Sequence, residues 1–574
     1  MTQQRFPKKR GLLFYFLRGS RGFFLCSLLF ALLSTVSDLA GPRIIGLAVD
    51  KTIPYFDGAV YVALIAVAGA VARYLFRLMN AKGAETFVKR MRDRLFDHIE
   101  HLPFSWFMEN RTGDIIQRCT SDVETVKRFV AEQFTMLVRI VALLVMALYF
   151  MWTLNARLMI VATAFLPVII AYSAVFHGKI SETFLRADEE EGTLSTIAQE
   201  NLTGVRVVRA FGRERYERER FEKQNDIYTA AYNRLNLLVT GFWTAGEFVS
   251  GIQVLTVLAT GAVFTVRGNM SAGDYIAFVA YNAMLVWPVR TLGRVISEMS
   301  KAGVSIERIR QIMDAQREQA ETGKARPSME DDIVFDHVTF SYAPGTPKIL
   351  DDVSFTIPRG KTVGILGATG SGKSTLTYLL DRLYDLEEGQ GEIRIGQTAL
   401  RDTDLHYLRE NIGMVLQEPF LFSRSLADNI SISDKEASMK QIRTAAKIAS
   451  LDEAVRGFAK GYETKVGERG VTLSGGQKQR AAIAQMVLRG TPVMIFDDSL
   501  SAVDAETDAK IRAQLKENTN GATVIIISHR ITTLMHADNI LVLQKGKIAE
   551  EGTHEVLVHQ DGLYKRICEI QGVA

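Results

Sequence analysis

The sequence predicts a polytopic α-helical membrane domain followed by an α/β domain, and three observations carry this prediction. Long uncharged stretches lie almost entirely before residue 300, and strand-and-turn patterns begin after residue 330. Between them, the segment from Gln316 to Pro327 is charged and polar, as is typical of a linker. We therefore expect a membrane domain over 1–315, a linker over 316–332 and an α/β domain over 333–574.

The composition excludes several classes of protein. The chain has 574 residues, of which 47% are hydrophobic, and this apolar content is too high for a disordered chain. The three cysteines, Cys26, Cys119 and Cys568, are odd in number and widely spaced, so they do not indicate a disulfide framework. The net charge of +4 is spread along the chain without a basic block, and no nucleic-acid partner is predicted.

Six apolar segments in the first half are candidates for helices that cross a lipid bilayer, which need ~20 mostly apolar residues. Each short segment alone is also compatible with a buried helix of a soluble protein, but six together favour six transmembrane helices. The candidates are Phe23–Val49, Ala59–Ala72, Ile140–Leu154, Leu158–Phe176, Phe248–Val266 and Tyr275–Val289.

The distribution of Lys and Arg predicts the orientation of these helices. A basic cluster at residues 5–10 precedes the first segment, and this favours a cytoplasmic N-terminus. The loop Asp50–Gly58 is then outside, and the basic stretches Lys82–Arg128 and Lys179–Arg234 are inside. An even number of crossings returns the α/β domain to the cytoplasm, and the short termini favour the cytoplasmic membrane of a bacterium.

The two inner stretches are predicted to form long cytoplasmic extensions of the transmembrane helices. Each has a break that contains Asn, Thr and Gly, at Asn110–Asp114 and at Asn201–Gly204. Two helices of ~20 residues would extend ~30 Å from the membrane before such a break. We expect coupling tips near 110–125 and 201–213, although a solvated linker is the alternative.

Charged residues at the rims or inside the predicted spans are candidates for a substrate path. Glu132 and Arg139 are seven residues apart and therefore share one helix face, and Glu247 lies just before an apolar segment. Arg73 and Arg77 are equally compatible with helix ends whose side chains extend to the membrane surface.

Residues 367–375 form a phosphate-binding loop of the pattern G-x-x-x-x-G-K-[ST], directly after the predicted strand Thr362–Leu366. Its glycines let backbone N–H groups surround phosphates, while Lys373 reaches the β- and γ-oxygens and Ser374 binds Mg²⁺. The second half is therefore predicted to be an α/β P-loop nucleotide-binding domain. Its predicted nucleotide ligands are Gly367, Thr369, Gly370, Ser371, Gly372, Lys373, Ser374 and Thr375.

A second strand, Pro492–Asp497, ends in the acidic pair Asp497-Asp498. An aspartate after a buried strand holds Mg²⁺ in P-loop enzymes. The same pattern alone is typical of the start of a turn, so the phosphate loop decides between the two interpretations. Asp497 is the predicted Mg²⁺ ligand.

Between these elements stands Leu473-Ser474-Gly475-Gly476-Gln477. With this segment the chain resembles the ATP-binding cassette (ABC) transporters over essentially its whole length, and six spans before one cassette resemble an exporter half-transporter. The resemblance implies a helical subdomain in the cassette, with ATP and Mg²⁺ as ligands. It also implies that residues 474–477 complete the ATP site of a second cassette, and that closure of the two cassettes drives the membrane helices through the cytoplasmic tips.

The same resemblance implies functions for four further residues and one loop. Tyr342 is the residue that stacks on adenine, and Gln417 senses nucleotide and contributes to the metal site. His529 corresponds to the switch histidine, and residues 501–504 correspond to the family's D-loop. Glu468 corresponds to an exporter element that contacts the cytoplasmic tips.

The sequence departs from the family at Asp498, where a catalytic glutamate is usual. Aspartate is one methylene shorter, so its carboxylate stops ~1.5 Å short of the attacking water, and a misplacement of ~1 Å lowers the rate ~100-fold. We therefore expect a site that binds ATP but hydrolyses it poorly, with Asp498, His529 and Gln417 as its catalytic group. An intact Ser474–Gln477 then favours a heterodimer whose partner has the glutamate, and a symmetric dimer is the alternative.

The function predicted from these features is one half of a heterodimeric exporter in the lipid bilayer that expels drugs or other amphipathic compounds. The alternatives are a homodimeric lipid flippase or peptide exporter, and an ATP-binding regulatory subunit without turnover of its own. An importer cassette is disfavoured because importer spans usually lie on separate chains.

Overall fold

The computed structural model describes residues 9–318, 323–467, 470, 473–500, 503–518 and 521–573. The chain forms two compact units. The first combines Met1–His101 with Asn110–Gln316, and the second combines Leu102–Glu109 with Arg317–Ala574.

The first unit consists of helices. Most predicted segments lie in helices that continue beyond the apolar run, because amphipathic sequence extends the helical pattern. Two segments differ: Phe23–Val49 nearly fills its helix, and Leu158–Phe176 spans two consecutive helices. The helices up to the start of the α/β part are α1 (Lys9–Phe16), α2 (Arg21–Val49), α3 (Tyr55–Ile99), α4 (Phe104–Glu109), α5 (Thr112–Gln117), α6 (Val123–Arg128), α7 (Phe134–Leu154), α8 (Ala156–Thr163), α9 (Phe165–Thr203), α10 (Val205–Ala210), α11 (Glu214–Val266) and α12 (Ala272–Asp314).

In the described part of the chain, five helices are long and apolar enough to cross a membrane, which supports the predicted polytopic membrane domain. The sixth predicted segment, Tyr275–Val289, lies in α12. Helices α5 to α7 form one rod through two π-bulges, Arg118–Asp122 and Phe129–Gln133. The five candidates are Arg21–Val49, Tyr55–Ile99, Thr112–Leu154, Ala156–Thr203 and Glu214–Val266.

The two predicted helix breaks differ in how closely the structure follows them. The second lies where α9 ends at Thr203 and α11 begins at Glu214, with α10 between them. The first begins after Ile99, about ten residues earlier than Asn110. Pro103 explains the earlier break, because proline removes a backbone donor and disfavours helix at the preceding residue. The short helix after it, α4, belongs to the second unit.

The second unit contains two sheets. Strand order in the larger sheet is β10-β9-β3-β8-β7-β6, in which all neighbours are parallel except β10 and β9. The smaller, antiparallel sheet has the order β2-β1-β4-β5. The strands are β1 (Ile333–Phe340), β2 (Leu350–Ile357), β3 (Thr362–Gly367), β4 (Glu392–Ile395), β5 (Thr398–Ala399), β6 (Ile412–Val415), β7 (Val493–Asp497), β8 (Thr523–Ile527), β9 (Asn539–Gln544) and β10 (Lys547–Gly552).

Helices cover the larger sheet, so its central strands are buried on both faces, as parallel sheets require. All five residues of β7 are buried. Helices α15 to α18 pack together as the predicted helical subdomain. The helices of this part are α13 (Lys373–Leu380), α14 (Leu405–Asn411), α15 (Leu426–Ile430), α16 (Met439–Ile448), α17 (Asp452–Arg456), α18 (Gly475–Arg489), α19 (Ala505–Asn518), α20 (Ile531–Leu534), α21 (His554–Leu557) and α22 (Leu563–Gln571).

Described residues of the predicted linker are attached to the α/β unit. The Arg409 guanidinium donates two hydrogen bonds of 2.8 Å to the Glu318 carboxylate. Ala325 exchanges backbone hydrogen bonds with Asp402 and Asp404 at 3.0 and 2.9 Å. A bidentate pair such as that of Arg409 with Glu318 fixes geometry as well as adding energy. Together with the Ala325 backbone bonds, it gives these linker residues a defined position on the second unit.

A half-buried carboxyl beside this attachment gives a pH prediction. Burial raises the pKa of Asp381 to about 7, although the guanidinium groups of Arg409 and Arg489 oppose the rise. The folded pKa exceeds the unfolded one, ~3.9, so the stabilisation is complete below ~pH 4 and is lost as pH rises through about 7. We expect the thermal-unfolding midpoint of the full chain to fall between about pH 5 and about pH 8, and to fall less in Asp381→Asn.

The control for this prediction is Asp385→Asn, which removes an exposed carboxyl four residues further on. This variant should follow the wild-type pH profile. Coincident profiles for wild type and Asp381→Asn would show that this carboxyl does not carry the effect.

Candidate nucleotide-binding site

The phosphate loop connects β3 to α13 and has the backbone that its glycines permit. Gly370 and Gly372 have φ values of +79° and +102°, in the left-handed region that favours glycine. At Gly367 a Cβ atom would lie 2.5 Å from the Leu543 carbonyl oxygen, so a side chain has no room there. Thr369 lies in the same loop, ahead of α13.

The Lys373 ammonium lies inside this loop. It donates hydrogen bonds of 2.8 Å to the carbonyl oxygens of Gly367 and Ala368, and the residue is only 7% exposed. Burial lowers the pKa of Lys373, whereas the nearby carboxylates of Asp497 and Asp498 oppose the change. The loop therefore holds its cation close to two carboxylates.

Two glycines of the loop form a matched pair for a stability prediction. In Gly372→Ala the new Cβ would lie 2.7 Å from Leu350 Cδ2 and 2.9 Å from the Ile349 carbonyl oxygen. Backbone strain and this overlap should together destabilise the fold by about 3 kcal/mol. Gly370→Ala meets open space and carries only the strain, about 1 kcal/mol. The thermal-unfolding midpoint of the full chain should therefore drop further for Gly372→Ala, and equal drops would contradict the packing argument.

Two of the predicted metal ligands lie side by side, Asp497 at the end of β7 and Ser374 at the start of α13. Burial raises the pKa of Asp497, and the neighbouring Asp498 carboxylate adds to this, while the Ser374 hydroxyl, Lys373 and His529 oppose it. A carboxylate with a hydroxyl beside it is an oxygen donor set that suits Mg²⁺. In the described part of the chain the buried Ser371 hydroxyl has no hydrogen-bond partner, so it remains available to a ligand of the loop.

Asp498 occupies a constrained position one residue after β7. Its φ is +45°, and its backbone N–H donates to the Ile527 carbonyl at 2.9 Å. The Gln417 amide lies 3.5 Å from the Asp498 carboxylate. Burial raises the pKa of Asp498, and the charges of His529, Lys373 and Arg530 oppose this.

Three predicted site residues meet because their strands are neighbours. Gln417 follows β6, Asp498 follows β7 and His529 follows β8, and these strands are adjacent and parallel. The carboxyl ends of parallel strands share one edge of the sheet, where ligands bind in α/β folds. His529 is exposed at this edge, and its carbonyl accepts a hydrogen bond of 2.7 Å from Gln571.

Tyr342 lies beside α13. Its hydroxyl is 2.8 Å from the Thr375 hydroxyl, and the residue is 43% exposed. An exposed ring anchored to the phosphate-loop helix is suited to stacking on a base. This pairing of Tyr342 with Thr375 was not predicted from the sequence.

The segment Ser474–Gln477 begins a 15-residue helix, α18. Ser474 and Gln477 form a capping box, in which the Ser474 hydroxyl accepts from the Gln477 N–H and the Gln477 amide oxygen accepts from the Ser474 N–H. Ser474 and Gly475 are exposed, and Gly476 and Gln477 are half-buried. Within the described residues no hydrogen bond joins this segment to the phosphate loop.

Two predicted elements lie partly or wholly outside the described residues. Glu468 is one of these, as are Ser501 and Ala502 of the loop 501–504. The described end of that loop caps α19, because the Asp504 carboxylate accepts from the Thr507 N–H at 2.9 Å.

In the membrane unit, sequence reasoning missed the partner of the predicted charges. Asp38 of α2 accepts hydrogen bonds from Arg73 at 2.7 Å and forms an ion pair with Arg139 at 3.5 Å. The signal that could have found it is an isolated carboxylate in a long apolar run. Glu132 is exposed in the second π-bulge, and Glu247 lies within α11.

The fold and the loop define a polytopic membrane protein with a fused P-loop ATP-binding domain. Residues 24–289 match the ABC transporter transmembrane region, and residues 350–501 match the ABC transporter family. The chain therefore belongs to the ABC transporter family, which implies ATP binding and ATP-dependent transport.

Individual relatives agree with this assignment. The chain is 32% identical, over 93% of each sequence, to a "Probable multidrug resistance ABC transporter ATP-binding/permease protein" of Bacillus subtilis. It is 34% identical to an "ATP-dependent lipid A-core flippase" of Legionella pneumophila, over 85% of this chain and 82% of that one. The structure of a bacterial Atm1-family ABC exporter with ATP bound matches 96% of this chain and all of that chain, with a TM-score of 0.79 and 25% identity.

Proposed function

We propose that this chain is one half of a heterodimeric ABC exporter that expels drugs or other amphipathic compounds. The observation that supports a heterodimer is the presence of Asp498 where the family usually has a glutamate. Its backbone is fixed by the hydrogen bond to Ile527, so the shorter side chain is not offset by a forward shift of the strand end. A general base must lie within hydrogen-bond reach of the water that it activates. The site of this chain then binds ATP but turns it over slowly.

The second support for the heterodimer is the segment Ser474–Gln477 at the start of α18. At the N-terminus of α18 the capping box does not use the N–H groups of Gly475 and Gly476, and these groups together with the positive helix-dipole end suit a phosphate chain. In the proposed assembly, Ser474–Gln477 complete the catalytic site of a partner half-transporter that has the glutamate. Two poor sites would leave this intact segment without a use.

ATP and Mg²⁺ are assigned to the same sheet edge. The phosphate loop and Lys373 would hold the phosphates, and Ser374, Asp497 and Gln417 would hold Mg²⁺. The metal supplies charge neutralisation at the phosphates when bound. In the proposed orientation, the N-terminus and the ATP-binding domain lie on the cytoplasmic side of the cell membrane.

The proposed substrate class rests on the membrane unit and on the relatives. Asp38, Arg73 and Arg139 are each about one-third to two-fifths exposed, so the apolar helices carry a partly exposed charged position. An amphipathic compound has an apolar part that can contact the apolar helices and a polar part that can contact these charged side chains. The lipid A-core flippase relative favours a second candidate, a homodimeric lipid flippase.

Reconstitution tests this function. The full chain, alone and co-purified with a candidate partner half-transporter, is placed in vesicles, and ATP-driven export of an amphipathic dye or a fluorescent lipid is followed. We expect transport and brisk ATP turnover only with the partner. Brisk turnover by the chain alone would contradict the heterodimer, and lipid but not dye movement would favour the flippase.

A further inference from the structure

A continuous set of aromatic rings connects Tyr342 with the short helix α4. The Phe104 ring in α4 lies 5.8 Å from the Tyr384 ring, edge to face at 89°. Tyr384 in turn lies 5.0 Å from Tyr342 at 73°. Rings at these separations and angles attract one another. Tyr384 is therefore a shared neighbour of Phe104 and Tyr342.

The same cluster limits how the Tyr342 ring can turn. The Thr375 hydroxyl holds one end of the ring, and Phe340 lies 5.2 Å away at 84°. Tyr384 also contacts Phe340, at 5.8 Å. The orientation of the exposed Tyr342 face consequently depends on where Tyr384 lies.

The Phe104 ring also contacts a second tyrosine. The Phe104 ring lies 6.0 Å from Tyr378 of α13, the helix that begins with Lys373. Burial raises the pKa of the Tyr384 phenol, as do the neighbouring Tyr342 and Tyr378, and the Glu109 carboxylate at the end of α4 adds to the rise. Phe104 therefore contacts two tyrosines of the cluster, Tyr378 and Tyr384.

Helix α4 is also tied covalently to the membrane unit. Four residues, 100–103, connect it to the end of α3, and two, 110–111, connect it to α5. Connections of this length keep α4 close to the ends of α3 and α5 along the chain. The contact that fixes α4 thus lies one aromatic ring away from the predicted base-stacking residue.

We propose that Phe104 is a positioning residue for the nucleotide base, acting through Tyr384 on Tyr342. The inference rests on the proposed ATP site, because it takes Tyr342 as the base-stacking residue. Stacking of adenine on Tyr342 stabilises the packing of Tyr384 against Phe104. Because the two equilibria are linked, the packing of Phe104 in turn increases the affinity for adenine by the same factor. The relay runs through ring contacts, and the phosphate loop touches it only at Thr375, through the Tyr342 hydroxyl.

The test separates the base from the phosphates. Binding of ATP and of inorganic tripolyphosphate, which has no base, is measured on the full chain in lipid nanodiscs. Phe104→Ala should weaken ATP about three- to tenfold, the effect of one or two aromatic contacts, and leave tripolyphosphate unchanged. Phe104→Tyr keeps the ring and should restore ATP affinity. Phe107→Ala, on the same helix, is the matched control and should match wild type.

A second measurement keeps the proposal falsifiable if Phe104→Ala does not fold. Hydrogen exchange of residues 104–109 in the wild-type chain should slow with ATP but not with tripolyphosphate. Equal weakening of both ligands, no weakening of either, or equal protection by both would overturn the relay while leaving the ATP site intact. Failure of both ligands to bind the wild-type chain would instead overturn the proposed function together with the relay.

Discussion

Asp498→Glu is expected to speed hydrolysis at this chain's own site by ~100-fold, because the longer side chain restores ~1.5 Å of reach. The strand end is fixed by the Ile527 hydrogen bond, so the added methylene advances the carboxylate rather than relaxing the backbone. The measurement is single-turnover hydrolysis in the assembled transporter, where the slow phase should become fast. Steady-state turnover should rise much less, since in the proposed heterodimer the partner's site carries it.

The matched control is Asp498→Asn, which removes the carboxylate at nearly constant size. If the site is already slow, this variant leaves steady-state turnover almost unchanged. A symmetric dimer behaves in the opposite way, because both of its sites depend on Asp498. Abolished turnover in Asp498→Asn, together with wild-type rates in Asp498→Glu, would rule out the proposal that this chain's own site hydrolyses ATP poorly.

Ser474→Asp is expected to lower steady-state ATP turnover of the assembled transporter by about 100-fold or more, the scale seen when a preorganised anion contact is lost. The new carboxylate would face the phosphates that the α18 N-terminus is proposed to hold. Aspartate caps a helix as well as serine does, so the fold should not suffer. ATP binding at this chain's own phosphate loop should remain.

Ser474→Asn separates charge from shape, because asparagine is an equally good cap without the negative charge. Its turnover should lie much closer to wild type, and both variants should unfold at the wild-type temperature. Equal loss of turnover in the two variants would show that the hydroxyl itself, rather than anion repulsion, is what matters at this position.

Several features could be predicted from the sequence because they are local. The phosphate loop lies within nine consecutive residues, and its glycines, lysine and hydroxyl residues act within one strand-to-helix turn. Apolar runs located the membrane helices for the same reason, since crossing a bilayer is a property of a single segment. The capping pair Ser474 and Gln477 is also three residues apart.

Tertiary structure decided the contacts between distant parts of the chain. Gln417 reaches Asp498 only because β6 and β7 are neighbours in the sheet. The Asp38 ion pairs join three helices, and Phe104 meets Tyr384 across 280 positions in the chain. Local periodicity reports which face of an element is buried, but the partner on that face is selected by packing of the whole chain, so no single segment of sequence contains it.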